Sequence, residues 1–181
     1  MLALTIQTGL RISELISLNC QHITLTAGAN VHIIGNGRKE RRTPLTPPTR
    51  TVLKAWLHGR AGAPRDPLFP TATGKRPSRD AIEHRLAIHL ATATASRPSI
   101  TTKHITMHTL RHTAAMRLLL AGNDITVIAL WLGHEQITTT QIYLHADMTH
   151  KQQAIDRTKP LDAKPGRYQF SDTLLAFLEA L

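Results

Sequence analysis

An Asn36-Gly37 pair, set between Val31 to Ile34 and Arg41 to Leu45, constrains this chain more than any other feature. Asn-Gly readily takes the left-handed backbone conformations of a tight hairpin turn, and the flanking segments read as its two strands. The strand-like pattern covers only His22 to Leu45; elsewhere apolar residues recur at helical spacing. A sheet confined to one short region must be antiparallel and small. The expected fold is therefore mostly α with a small antiparallel β-sheet, an α+β domain.

The helical boundaries are marked by residues that satisfy exposed backbone groups. Gly9 closes a first helix, and Arg11 to Leu18 reads as a second. Pro47 and Pro48 open a helix over Arg50 to His58, with Val52, Leu53, Trp56 and Leu57 expected to face inward. Gly59 to Pro77 is rich in Gly, Pro and Arg and reads as an exposed loop holding one buried turn, Leu68-Phe69. A further helix is expected from Ser78 to about Ala95. Three more follow, capped by Thr106, by Asp124 (ending at Gly133), and by Thr138 with Gln141 as a capping box.

Charge narrows the partner. The 181 residues carry 22 Lys+Arg against 12 Asp+Glu, a formal +10, which favours a polyanion such as nucleic acid. Only 4% of residues are Phe, Trp or Tyr, too few stacking platforms for a single-strand or RNA reader, so the expected contact is with the backbone of double-stranded DNA. Cys20 is the single cysteine and excludes an internal disulfide. With no signal peptide and no apolar run of membrane-spanning length, a cytoplasmic location is expected.

The chemistry-bearing residues cluster late in the chain. In the helix after Thr106, His108, Arg111 and His112 fall on one face, opposite Met107, Leu110, Ala114 and Leu118. A cationic face near a helix N-terminus suits a phosphate, because free backbone N–H groups add to the side-chain donors. His134 ends the next helix. Tyr143 follows nine positions later (143 − 134 = 9), placed for its phenol to project towards His134.

These segments together resemble the tyrosine recombinases, or phage integrase family. Thr8-Gly9-Leu10-Arg11-Ile12-Ser13-Glu14-Leu15 is similar to the family's first arginine motif, and His108-Thr109-Leu110-Arg111-His112 to its H-x-L-R-H box. Leu132-Gly133-His134 with Thr139 to Tyr143 resembles the final box, and Gly35 to Arg42 the hairpin whose catalytic lysine falls on Lys39. The resemblance implies that Tyr143 attacks a DNA phosphodiester, giving a 3′-phosphotyrosyl link and a free 5′-hydroxyl. It implies that Arg11 and Arg111 clamp the phosphate oxygens, with His134 donating a further hydrogen bond. His108 would help remove the tyrosine proton and Lys39 would protonate the leaving oxygen. Arg38, Arg41 and Arg42 on the hairpin are expected to contact DNA. Two guanidiniums supply the positive charge, so no metal, ATP or other cofactor is implied. Glu14 is expected to orient an arginine, and His112 to support packing.

The resemblance also implies a helical core-binding domain before the catalytic one and self-association on DNA, in a tetrameric synapse. With Arg11 only ten residues after Met1, that core-binding half is expected to be missing. The organisation expected is a truncated catalytic domain over 1–148 and a tail over 149–181, whose Leu174, Phe177, Leu178 and Leu181 line one helical face for docking in cis or in trans. The alternative is a catalytically silent DNA-binding remnant. A type IB topoisomerase shares the chemistry, but the Leu-Gly-His box and the short length fit it less well. A zinc enzyme using the i, i+4 pair His108 and His112 lacks the adjoining glutamate, and Arg111 would repel the cation.

Overall fold

A computed structural model of the chain describes residues 1–35, 40–134, 136 and 138–143. Six helices fall within them: α1 (Leu2–Thr8), α2 (Ile12–Ser17), α3 (Pro47–Arg60), α4 (Arg79–Ser96), α5 (Met107–Leu120) and α6 (Ile125–Leu132). Residues 138–143 are also helical. The strands β1 (Ile23–Thr24), β2 (Asn30–Ile34) and β3 (Glu40–Pro44) form one antiparallel sheet in the order β1-β2-β3. The expected α+β class is the observed one. The Asn36-Gly37 turn, Arg38, Lys39 and the whole of 149–181 lie outside the described residues.

Local chemistry sets most of the boundaries. Gly9 ends α1 at φ +66°, and Gly133 ends α6 at φ +65°, conformations that a side chain disfavours. Ser78 Oγ accepts the Ala81 N–H, Thr106 Oγ1 that of Thr109, and Asp124 Oδ1 that of Thr126, giving α4, α5 and α6 their N-caps. Thr138 is itself helical, one step past the capping position expected for it, and its hydroxyl donates to Gln136 Oε1.

Register in the sheet runs from Asn30↔Pro44 to Ile34↔Glu40. It turns Val31, Ile33 and Thr43 inward and leaves Arg42, opposite His32, at the surface. The main core joins Leu4 and Leu10 beside α1 to Leu15 of α2, Ile33 of β2, Leu53 of α3 and Leu86 of α4. Leu68 and Phe69 are buried as expected. Val52 and Trp56 are not: they are 51% and 38% exposed. The inward line of α3 is Thr49 and Leu53, and Phe69 tilts against the Trp56 ring, whose Nε1 donates to the Leu68 carbonyl. A second cluster (Ala115, Ile128, Leu132 and Tyr143) packs α5, α6 and the 138–143 helix together, with α1 lying against α5.

Candidate active site

Arg11 is the N-cap residue of α2, and a reciprocal hydrogen bond fixes it there. Glu14 Oε2 accepts the Arg11 backbone N–H at 2.8 Å, while Arg11 Nη1 meets Oε1 at 3.3 Å. The Arg11 fork also donates to the Gly133 carbonyl, at 3.2 and 3.3 Å, yet the side chain keeps 41% of its surface exposed. It therefore reaches the helix that ends just before His134 and still has a free side.

Arg111 is placed differently from its expected polar face. It is 4% exposed, with Nη1 donating to the Gly9 carbonyl at 2.6 Å and Nη2 to the Leu132 carbonyl at 2.9 Å. Burial, then the nearby Arg11 charge, pushes its pKa down to about 10, so it remains a cation at neutral pH. Gly9 makes the approach feasible: a Cβ there would lie 2.5 Å from Leu132 Cδ2 and 3.7 Å from Arg111 Cγ.

His134 Nδ1 lies 2.7 Å from Thr140 Oγ1, a hydroxyl with no exposed surface. Burial and then the charges of Arg111, Arg11 and Arg41 push the imidazole pKa down to about 4. The ring is thus neutral at pH 7, and if it accepts from Thr140 at Nδ1 its proton sits on Nε2, ready to be donated. Sequence reasoning assigns Thr140 no role; its spacing, three residues before Tyr143, is the signal that could have found it.

Tyr143 is 3% exposed and lies between two imidazoles. His134 stacks on it at 6.3 Å and 11°, and His112 meets it edge-on at 4.9 Å and 80°. Burial raises the phenol pKa, an effect partly offset by Arg111 and Arg11. His108 is exposed and touches His112 edge-on at 5.0 Å, so His112 links it to the tyrosine. His112 packs as expected, but in a more central position.

Two hollows frame these residues. One, of about 720 Å³, is lined by Glu14, Gly35, Glu40 and Arg41; the other, of about 600 Å³, by His108, Arg111, His112 and Tyr143. Arg11, His134 and Thr139 border both and form the wall between them. Arg42 is exposed, whereas Arg41, expected beside it as a DNA contact, is turned inward onto Glu14. Among the described residues no group of three or more His, Cys, Asp or Glu is gathered as a metal site.

The imidazoles make the fold acid-sensitive. His134, His112 and His22 all have lowered pKa values in the fold, each primarily through burial. Between about pH 4 and 6.5 the unfolded chain binds more protons than the folded one, so stability must fall as pH falls through that window. We expect the urea midpoint to drop between pH 7 and pH 5, and His134→Gln to reduce the slope. A midpoint independent of pH would show that His134 already accepts a proton in the fold.

The family model "Phage integrase family" matches residues 1–150. A putative integrase/recombinase, y4rC, of Sinorhizobium fredii is 45% identical over 180 residues, covering 99% of this chain and 54% of that protein. Tyrosine recombinase XerC of Yersinia pestis is 37% identical over 169 residues, 92% of this chain and 53% of the relative. Among solved structures, XerA recombinase superposes with a TM-score of 0.69 at 28% identity, covering 87% of this chain and 55% of that one. The XerH site-specific recombinase bound to palindromic difH substrate, a post-cleavage complex, gives 0.70 at 25% identity over 86% and 44%. The chain spans about half the length of the curated relatives it matches.

Proposed function

The chain belongs to the phage integrase family, and from that premise we propose that it cleaves and rejoins double-stranded DNA at specific sites through a covalent bond to Tyr143. The supporting observation is that Arg11, Arg111, His134 and Tyr143 line one hollow together. Arg11 and Arg111 come from helices a hundred residues apart in sequence (111 − 11 = 100) and converge on this hollow.

In this reading the Tyr143 oxygen forms a bond to phosphorus as the bond to the 5′-oxygen breaks. The products are a 3′-phosphotyrosyl link and a 5′-hydroxyl, and the reverse reaction with another 5′-hydroxyl rejoins a strand. The guanidiniums and His134 Nε2–H stabilise charge on the non-bridging oxygens. Arg111 is held by two main-chain carbonyls, so its orientation precedes DNA binding. His108 and His112 provide a route for the phenol proton, and Lys39 protonates the leaving oxygen. Residues 1–148 are the catalytic domain, and the tail over 149–181 serves docking between subunits in a four-membered synapse. XerH, which this chain resembles in fold, is bound to palindromic difH substrate in its post-cleavage complex; in this chain Arg38 and Arg42 would be the hairpin residues that contact DNA.

The direct test is incubation with nicked duplexes carrying many candidate sites, followed by denaturing gels. A protein–DNA adduct supports the reading; DNA binding without adduct favours the silent-remnant alternative. Lys39 has its own signature. Lys39→Ala should slow cleavage of ordinary DNA about 10²–10⁴-fold and be restored by a 5′-bridging phosphorothiolate, because sulfur leaves without a proton. Equal slowness on both substrates would remove Lys39 from the acid role.

A further inference from the structure

Arg41 lies on β3, two residues after Lys39, and its surroundings are unlike those of a DNA-facing side chain. Its guanidinium meets both oxygens of Glu14, Nη1 to Oε1 and Nη2 to Oε2, each at 2.8 Å. Nε donates to the Trp131 carbonyl at 3.1 Å. The Arg41 side chain is 13% exposed and that of Glu14 only 4%. Desolvation opposes the charge on Glu14, but the hydrogen bonds and charge of Arg41, with those of Arg11, hold its carboxyl below the usual range. Gly133 belongs to the same arrangement, since a Cβ there would sit 2.7 Å from Arg41 Nη1.

Three segments therefore meet at one carboxylate and one guanidinium. They are the start of α2 with Arg11, the strand leading from Lys39, and the end of α6 before His134. A phosphate competing for this fork would have to displace a buried carboxylate bonded through both oxygens, leaving that charge unpaired. The neighbouring Arg42 is exposed and bears no such constraint.

We infer that Arg41 is a positioning residue that locks the hairpin strand and the α6 terminus against Arg11 through Glu14, and that it does not contact DNA. The inference rests on the proposed function for the roles of Lys39 and His134, but its placement of Arg41 is testable without cleavage. The full chain would be compared with Arg41→Lys, which keeps the charge and loses the fork, and with Arg42→Ala. A double variant, Arg41→Met with Glu14→Gln, buries no unpaired charge and carries the same readouts should Arg41→Lys lose the fold. Duplex DNA affinity would be followed across salt concentrations, and single-turnover cleavage measured at saturating nicked DNA.

Arg41→Lys is expected to slow cleavage about 10²-fold, the scale of an ångström-level misplacement, with unchanged affinity and salt slope. Arg42→Ala should reduce the magnitude of the slope by about one. A slope reduced by about one in an Arg41 variant would make Arg41 a phosphate contact, and wild-type cleavage by Arg41→Lys would show that the fork is dispensable. If the parent chain forms no adduct, the proposed function fails on its own, and amide exchange decides for Arg41. Faster exchange at 40–44 and 131–133 with an unchanged slope supports the lock; unchanged exchange overturns it.

Discussion

Tyr143→Phe should leave no detectable covalent adduct while DNA affinity and fold are retained. Deleting a covalent nucleophile elsewhere costs about 10⁶-fold in rate, which would put the variant below the sensitivity of a gel assay. The structure explains why the substitution should otherwise be mild. The Tyr143 ring is buried against Ala115, Ile128 and Leu132 and sits between His112 and His134. A phenyl group fills the same volume and keeps both ring contacts, so the helix at 138–143 should hold its place. The proposed DNA binding would rest on Lys and Arg, which the change does not touch. Adduct persisting in the Phe variant would transfer the nucleophile's role to another residue.

The second large effect is expected at a residue with no chemistry of its own. Gly9→Ala should destabilise the fold by about 2–5 kcal/mol. About 1–2 kcal/mol comes from placing a side chain in the left-handed region, and about 1–3 from overpacking. The added Cβ would lie 2.5 Å from Leu132 Cδ2 and 3.3 Å from Ala114 Cβ, at a position with φ +66°. Leu132 is fully buried, so it has little room to retreat. The same shift displaces the Gly9 carbonyl that accepts from Arg111, so cleavage should fall along with stability. Melting is expected about 4–20 °C lower, at 2–4 °C per kcal/mol for a chain of this size. An unchanged melting temperature would show that the α1 terminus relaxes freely, against the close packing described here.

Where the sequence was readable, the deciding physics was local. Gly9, Ser78, Thr106, Asp124 and Gly133 each satisfy or free a helix end within a few residues, and each is legible as a helix boundary. The sheet was legible for the same reason, through alternation around a turn. The resemblance picks out Arg111, but periodicity alone places it on a polar face. Its burial depends on carbonyls of Gly9 and Leu132, 102 and 21 residues away. The inward turn of Arg41 is not legible in the sequence, because nothing along β3 reveals a partner on α2, 27 residues distant. Val52 and Trp56 fit a helical stripe, yet which side of α3 is covered depends on the loop carrying Leu68 and Phe69.

In the proposed reaction, the wall between the two hollows would set a stereochemical course. Direct displacement at phosphorus brings the entering and departing oxygens to opposite apices, roughly in line. Tyr143 borders one hollow; Gly35 and Glu40, the described residues flanking the segment with Lys39, border the other. A phosphate seated on Arg11 and His134 would thus meet its attacker from one side and release its leaving group to the other. Each proposed displacement would then invert the configuration at phosphorus, and cleavage followed by rejoining would restore it. The two steps would run in opposite directions across one fixed partition, so a single site would serve both halves of the proposed strand exchange.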